Sequence, residues 1–175
     1  MIRPGKFGVM LAACLAAAVW AGAKKGEKSS KPPEQKSVGS YDPSRDPEKD
    51  LQNAIAQARQ AHKRILLDVG GDWCVYCNIM DATFATHPGL RKVRDANYIT
   101  VKINYSPENP NAVFLSKYPK IIDYPHFFVL DSDGKLVQSQ PTHKFEHGKT
   151  YNAGKIEDFL KKYSGPPRHW LNRVS

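Results

Sequence analysis

Residues 73–77 read Trp73-Cys74-Val75-Tyr76-Cys77, and this stretch decides what fold and chemistry the chain is expected to have. It follows a strand-like run at residues 64–69, Arg-Ile-Leu-Leu-Asp-Val, after a short glycine-containing turn. The chain has 3 cysteines, and the one outside this pair, Cys14, lies in the N-terminal leader. A Cys-x-x-Cys pair placed directly after a strand is typical of thiols that make and break disulfides.

The spacing of the two cysteines predicts different tasks for them. Cys74 is expected at the start of a helix, where unpaired backbone N–H groups and the helix dipole lower the pKa of a thiol. Cys77 follows one turn later on the same helix face. We therefore predict that Cys74 is the more exposed nucleophile and that the more buried Cys77 releases the mixed disulfide.

The pair also has a structural and a metal-binding interpretation. A permanent disulfide is one alternative, although the loop closed by Cys74 and Cys77 is too small to be an effective staple. A zinc site would need more ligands, and His143 and His147 are the candidates for a Cys₂His₂ set. We predict no metal ligand, since these histidines fall in a polar loop. No histidine follows Cys77, which excludes haem attachment through Cys-x-x-Cys-His.

The first 23 residues have the pattern of a secretory signal peptide. Basic Arg3 and Lys6 precede an apolar run at residues 7–20, and residues 21–23, Ala-Gly-Ala, form a small-x-small cleavage site. We expect cleavage after Ala23 and a periplasmic or secreted protein, in a compartment where disulfides persist.

Two alternatives for the leader concern the membrane. Residues 11–14, Leu-Ala-Ala-Cys, resemble a bacterial lipobox, so the alternative is a lipoprotein anchored to the membrane through Cys14. An uncleaved anchor is the other alternative, but the apolar run is shorter than a bilayer span requires.

The composition predicts one basic domain behind a tether. The chain has 175 residues and a formal net charge of +9, and its lysines are scattered rather than clustered with aromatic residues. We therefore expect no nucleic-acid binding, and a monomer. Residues 24–45 are rich in Lys, Ser, Pro, Gly and Glu and predict a flexible linker.

Hydrophobic periodicity predicts alternating helices and strands at residues 46–164. The expected elements are a helix at 46–62, a strand at 65–69, a helix from Cys74 that breaks at 87–89, a strand at 98–104, a short helix at 112–118, strands at 125–130 and 135–139 and a helix at 154–163. Residues 131–134, Asp-Ser-Asp-Gly, predict a hairpin turn rather than a calcium loop, which would need further ligands. Residues 140–152 are expected to form a polar loop, and residues 165–175 a C-terminal tail. The order predicts an α/β fold with a central mixed β-sheet flanked by helices and with an N-terminal helix.

At residues 46–164 these features resemble the thioredoxin-like superfamily. The resemblance implies a thioredoxin fold with no cofactor except the redox-active disulfide. Asp68, six residues before Cys74, matches the buried acid that serves the resolving cysteine, and Lys102 matches the lysine facing that acid. The resemblance thus implies catalytic roles for Cys74, Cys77, Asp68 and Lys102. The residues alone also permit a strand-end Asp that caps a turn and an outward-facing Lys.

The resemblance also implies a surface that binds substrate. Trp73 matches the tryptophan beside the nucleophile, and Tyr124-Pro125 matches a cis-proline segment whose backbone pairs with a substrate peptide. Tyr76 and His126 complete the expected substrate-binding set. If His126 is near Cys74, a protonated imidazole would stabilise the thiolate; the alternative is a solvent-facing histidine.

The sequence departs from cytosolic thioredoxin at several positions. Val75-Tyr76 replaces Gly-Pro between the cysteines, Gly70 stands where an aromatic residue is usual, and His126 stands where Thr is common. With the signal peptide, these departures make the chain similar to exported domains such as the C-terminal domain of the bacterial transmembrane thiol–disulfide interchange protein. That family reduces periplasmic disulfides with electrons from a membrane partner.

The sequence therefore favours an exported thiol–disulfide oxidoreductase that acts on protein disulfide or dithiol clients, and the resemblance implies a possible membrane electron donor. A reductase or interchange role is favoured over an oxidase. One alternative is a non-catalytic interaction module that presents Trp73, Tyr76 and Tyr124. The other is a protein that handles metals or matures metal sites with the same cysteines.

Overall fold

The computed structural model describes residues 40–165, so the predicted signal peptide, residues 24–39 of the linker and residues 166–175 lie outside the described part of the chain. Its elements are α1 (Pro47–Ala61), β1 (Arg64–Gly70), α2 (Val75–Thr86), α3 (Pro88–Asn97), β2 (Tyr98–Asn104), α4 (Ala112–Leu115), β3 (His126–Leu130), β4 (Leu136–Pro141), a 3₁₀ helix (Thr142–Phe145), β5 (Glu146–His147), β6 (Thr150–Tyr151) and α5 (Ala153–Lys162).

A four-stranded mixed sheet forms the centre of the described domain. Its strand order is β2-β1-β3-β4. Strand β1 runs parallel to β2 and antiparallel to β3, and β4 runs antiparallel to β3. The structure confirms the prediction of a central mixed sheet flanked by helices, with an N-terminal helix before the first strand.

Two apolar clusters cover the two faces of the sheet. Helices α2, α3 and α5 pack on the face that carries Leu66 and Phe127. Helices α1 and α4 pack on the face that carries Leu67 and Phe128. Because β1 and β3 are buried on both faces, their sequences read as continuous apolar runs rather than as alternating ones.

Helices α1 and α3 begin at residues that are typical of helix starts and can be recognised in the sequence. Asp46 accepts hydrogen bonds from the N–H groups of Glu48 and Lys49, and Pro47 occupies the first position of α1. Pro88 starts α3 and separates it from α2, as predicted. None of the helices in residues 40–165 is long and apolar enough to cross a bilayer.

The prediction of a polar loop at residues 140–152 is wrong. It forms the 3₁₀ helix and a small hairpin of β5 and β6, in which Gly148 has a φ of 64°. Phe145 and Tyr151 are buried in the core, which draws the segment onto the sheet. The predicted helix at 112–118 is also shorter, since α4 ends at Leu115.

The end of the predicted linker also needs correction. Residues 41–45, which we call the N-terminal strap, pack against the domain. Tyr41 is 2% exposed, and Pro43 accepts a 2.7 Å hydrogen bond from the side chain of Asn109. Tyr41 gives this polar segment one large side chain to bury, so the packed chain begins before Asp46.

Candidate redox site

Cys74 and Cys77 form a disulfide at the N-terminus of α2. Cys74 is the N-cap residue, and its sulfur accepts a 3.1 Å hydrogen bond from the backbone N–H of Cys77. Cys74 is 5% exposed and Cys77 is fully buried. The predictions of a helix-start position and of a more exposed Cys74 are thus confirmed.

The position of Cys74 has a chemical consequence. The first N–H groups of a helix have no partner within the helix and carry the positive end of its dipole. A sulfur at the N-cap faces these donors, so a negative charge on Cys74 would be stabilised in the reduced state. Cys77, inside the first turn, would be shielded from solvent.

Asp68 is the buried acid of the site. It is 4% exposed. Burial raises the pKa of Asp68 from 3.8 to about 6, and the nearby Asp81 adds to the rise; Lys102, a hydrogen bond from Tyr41 and Arg94 oppose it. Such a carboxyl changes its protonation state close to neutral pH, which is useful for accepting a proton from a thiol.

Lys102 faces Asp68 because the parallel register of β1 and β2 pairs these two residues. The Lys102 ammonium lies 3.8 Å from Asp68 Oδ2. It lies closer to Asp81, at 2.7 Å from Oδ1 and 2.5 Å from Oδ2. Asp81 was not predicted from the sequence, although an acid two helical turns after Cys74 on α2 was an available signal.

Tyr41 was also missed. Its hydroxyl donates a 2.8 Å hydrogen bond to Asp68 Oδ1, and the Lys102 ammonium lies 3.9 Å from the centre of its ring. Burial, followed by the charge of Asp68, raises the pKa of Tyr41, so the phenol keeps its proton and remains a donor. The available signal was a single aromatic residue in a polar segment just before the first helix.

An aromatic platform of Trp73, Tyr105 and Tyr124 lies beside the disulfide. Tyr124 stacks on Tyr105 with ring centres 4.6 Å apart. The rings of Trp73 and Tyr124 pack edge to face, with their centres 5.8 Å apart. The Trp73 indole donates a 2.6 Å hydrogen bond to the Tyr105 carbonyl, and its side chain is 54% exposed. The Tyr124–Pro125 peptide bond is cis. Tyr105 was not singled out from the sequence.

The segment after β4 contacts both Pro125 and Tyr76, one of the two residues between the cysteines. The Thr142 hydroxyl donates a 2.5 Å hydrogen bond to the Pro125 carbonyl and lies 3.3 Å from the Tyr151 hydroxyl. The half-buried Tyr76 packs edge-on against Tyr151, with ring centres 6.0 Å apart. Thr142 was not predicted from the sequence, because residues 140–152 were expected to form a polar loop.

His126 contradicts both interpretations offered from the sequence. It is 1% exposed, so it does not face solvent. Strand alternation puts it beside Phe128, with ring centres 4.7 Å apart, while Phe127 pairs with Asp68. Burial lowers the pKa of His126, only partly opposed by Asp123, so the neutral imidazole dominates at neutral pH. A protonated imidazole and a direct substrate contact are therefore not supported.

The histidines considered for a zinc set have other surroundings. His143 donates its backbone N–H to Asp123 at 3.0 Å and bonds the same carboxylate through Nδ1 at 2.6 Å. The side chain of His147 is exposed on the hairpin of β5 and β6. Between residues 40 and 165, no three or more His, Cys, Asp or Glu side chains are grouped to hold a metal ion.

Similarity to known proteins agrees with this arrangement. A family model described as thioredoxin-like matches residues 46–132. The thiol:disulfide interchange protein DsbD 1 of Pseudomonas aeruginosa is 33% identical over an alignment of 105 residues that covers 54% of this chain. The match spans only 18% of that longer protein.

Solved structures share the fold. A disulphide isomerase from Xylella fastidiosa Temecula1 has a TM-score of 0.63 and 24% identity, with 71% of this chain and 96% of that chain covered. The oxidised C-terminal domain of DsbD from Neisseria meningitidis has a TM-score of 0.53 and 20% identity, with 67% and 96% covered. The family match, the sheet order and the disulfide at the start of α2 together show that residues 46–132 of this chain belong to the thioredoxin-like family.

Proposed function

We propose that the protein is an exported thiol–disulfide oxidoreductase that reduces or exchanges disulfides in protein clients, with the Cys74–Cys77 pair as its only redox group. The observation that carries this proposal is a disulfide at a helix N-terminus whose buried sulfur lies in one apolar cluster with Tyr41, the residue that bonds Asp68. A disulfide that only stabilised the fold would not require a nearby carboxyl group with a pKa of about 6.

The first step in the reductive direction uses Cys74. Its thiolate attacks one sulfur of a client disulfide, which forms a Cys74–client bond and breaks the client S–S bond. The departing client sulfur leaves as a thiolate and takes a proton from solvent. The N–H groups at the start of α2 favour the attacking thiolate and keep Cys74 in place.

The second step uses Cys77 and Asp68. The Cys77 thiol gives its proton to the Asp68 carboxylate, and the new thiolate attacks the Cys74 sulfur. The Cys74–Cys77 bond forms, and the second client sulfur leaves as a thiolate. Two electrons have then passed from the protein dithiol to the client. Lys102 and Asp81 connect Asp68 to the surface, where its proton can be lost.

Clients would dock on the surface around Cys74. The aromatic platform offers the exposed indole of Trp73 and the ring of Tyr124, and Tyr76 packs against the same cluster as the disulfide. Pro125 is buried and held by Thr142, which fixes the backbone beside the platform. His126 supports this segment from within the core and is left out of the docking surface.

The cellular setting is proposed from the leader. A signal peptide that ends at Ala23 would place the domain in the periplasm or outside the cell, with a lipoprotein anchored at Cys14 as the alternative. A protein that reduces disulfides there needs a supply of electrons, so we propose a membrane partner as the donor. We expect the domain to work as a monomer without nucleic acid.

Insulin reduction in the presence of dithiothreitol tests the proposal, with Cys74→Ser as the matched variant. We expect the protein to accelerate precipitation of insulin and the variant to do nothing. With Cys77→Ala, a client should remain bound to Cys74 as a mixed disulfide visible by non-reducing electrophoresis. Equal rates with and without the protein would instead favour an interaction module that docks partners on the aromatic platform.

A further inference from the structure

Tyr41 occupies a space that the sheet leaves open beside the resolving cysteine. Gly70, at the end of β1, has no side chain, and a Cβ there would lie 2.5 Å from the Cys77 sulfur and 2.9 Å from Cζ of Tyr41. The tyrosine ring and the buried sulfur therefore both pack over Gly70.

The contacts of Tyr41 reach both members of the buried ion pair. Its hydroxyl donates to one oxygen of Asp68, while the other oxygen of Asp68 faces the Lys102 ammonium. The ring lies against the same ammonium. One residue thus contacts the acid, the lysine and the pocket of Cys77.

The N-terminal strap holds Tyr41 in this position through two anchors. The backbone N–H of Tyr41 donates a 3.3 Å hydrogen bond to Asp72, in the turn before the cysteines. Asn109, in the loop after β2, donates to the carbonyl of Pro43. The strap therefore crosses the disulfide end of the sheet and joins the two loops that flank the site.

We propose that Tyr41 is a positioning residue that orients Asp68 for proton transfer from Cys77 and closes the pocket around the Cys77 sulfur. The role deepens the proposed function and rests on it for its chemistry. The proton passes from Cys77 to the Asp68 oxygens while the Cys77 sulfur bonds to Cys74 and a client thiolate departs. Tyr41 gives up no proton and only fixes the acceptor.

The arrangement has a consequence for the titration of Asp68. The groups that act on it are Tyr41, Lys102 of β2, Asp81 of α2 and Arg94 of α3, with the Tyr151 hydroxyl of β6 also nearby. The Tyr41 hydrogen bond stabilises the carboxylate, and its removal with the ring kept in place raises the pKa of Asp68. A hydrogen bond to a carboxylate corresponds to about one pH unit.

Tyr41→Phe in the oxidised full chain tests this directly, with Asp68 titrated by NMR. We expect its midpoint to rise by about one pH unit. The matched control is Tyr98→Phe, which removes another buried hydroxyl, the one that donates to the Leu160 carbonyl at 2.7 Å. The control should leave the Asp68 midpoint unchanged. An unchanged midpoint in Tyr41→Phe, or an equal rise in both variants, would overturn the proposal.

Tyr41→Ala tests the closing of the pocket. In the reduced protein with Cys74→Ser, alkylation of Cys77 should be several-fold faster when the ring is absent and unchanged in Tyr41→Phe. Equal alkylation with and without the ring would contradict this part. If the wild-type protein does not reduce insulin while the Asp68 midpoint still rises in Tyr41→Phe, the proposed function fails and the assignment of Tyr41 to Asp68 stands.

Discussion

The ammonium of Lys102 lies 2.5 Å from a carboxylate oxygen of Asp81 and thereby links the buried acid to the protein surface. The Lys102 side chain is 5% exposed and that of Asp81 is 45% exposed. Because Lys102 also lies 3.8 Å from Asp68, its positive charge is shared between the buried Asp68 and the partly exposed Asp81. The charge on Asp68 therefore depends on a residue outside the pocket.

Asp81 and Lys102 are expected to move the pKa of Asp68 in opposite directions. Asp81 raises the pKa of Asp68, so Asp81→Asn should lower it, and Lys102 lowers that pKa, so Lys102→Met should raise it. NMR titration of the oxidised protein measures both. Asp133→Asn, which removes an ion pair with Arg59 at 3.0 Å, is the control and should leave Asp68 unchanged. Shifts of the same sign in both variants would contradict the shared-cation arrangement.

The buried acid should lower stability at neutral pH. Burial raises the pKa of Asp68 from 3.8 to about 6, so the folded protein binds its proton more tightly than the unfolded chain does. The free energy of unfolding therefore falls as pH rises between these two values. Asp68→Asn keeps an acceptor for Tyr41 and leaves Lys102 paired with Asp81. We expect it to stabilise the oxidised protein at neutral pH by roughly 2 to 3 kcal/mol.

Urea unfolding measures this effect at neutral pH and again below the unfolded pKa of 3.8. Under the acidic condition Asp68 is protonated in both states, so the gain from Asp68→Asn should largely disappear. A gain that is equal under both conditions would show that the charge on Asp68 is not its source.

Thr142 is expected to support client binding without touching the cysteines. Its hydroxyl bonds the Pro125 carbonyl, and Thr142→Val leaves that acceptor unpaired, at a cost of about 1 to 3 kcal/mol in stability. The KM for a client should rise, while the thiol titration of Cys74 should stay unchanged. The control is Thr83→Val, since Thr83 is also buried but bonds Ile79 within α2. An unchanged KM with normal stability would contradict this role.

Trp73 should act mainly in docking. Because its side chain is 54% exposed, Trp73→Ala should change stability little, yet weaken client binding by about tenfold if the indole is a central contact. Val113, which is 81% exposed on α4, provides a control in Val113→Ala. Steady-state kinetics with a client peptide disulfide measures both. Equal loss in the two variants would argue against an aromatic platform.

The features that were predictable from the sequence are those that local pattern determines. The Cys-x-x-Cys spacing, the acid at the end of β1 and the proline breaks each depend on neighbours along the chain. Asp68 and Lys102 were paired through the family resemblance, and the parallel register of β1 and β2 does place them side by side, while their catalytic roles stay predictions.

The missed residues depend on contacts between distant segments. Tyr41 reaches Asp68 from a segment whose composition resembles a linker, and Thr142 reaches Pro125 from a segment that looked polar. His126 was misplaced for a related reason. In a strand buried on both faces, hydrophobic alternation is absent, so the sequence does not tell which side chains share a face with the site.

The most direct test of the central claim is the pH dependence of alkylation of the two thiols in the reduced protein. We expect Cys74 to react at neutral pH, with a midpoint below the value of about 8.5 for a free cysteine, while Cys77 stays protected. Equally slow alkylation of both thiols at neutral pH would contradict the assignment of Cys74 as the activated nucleophile.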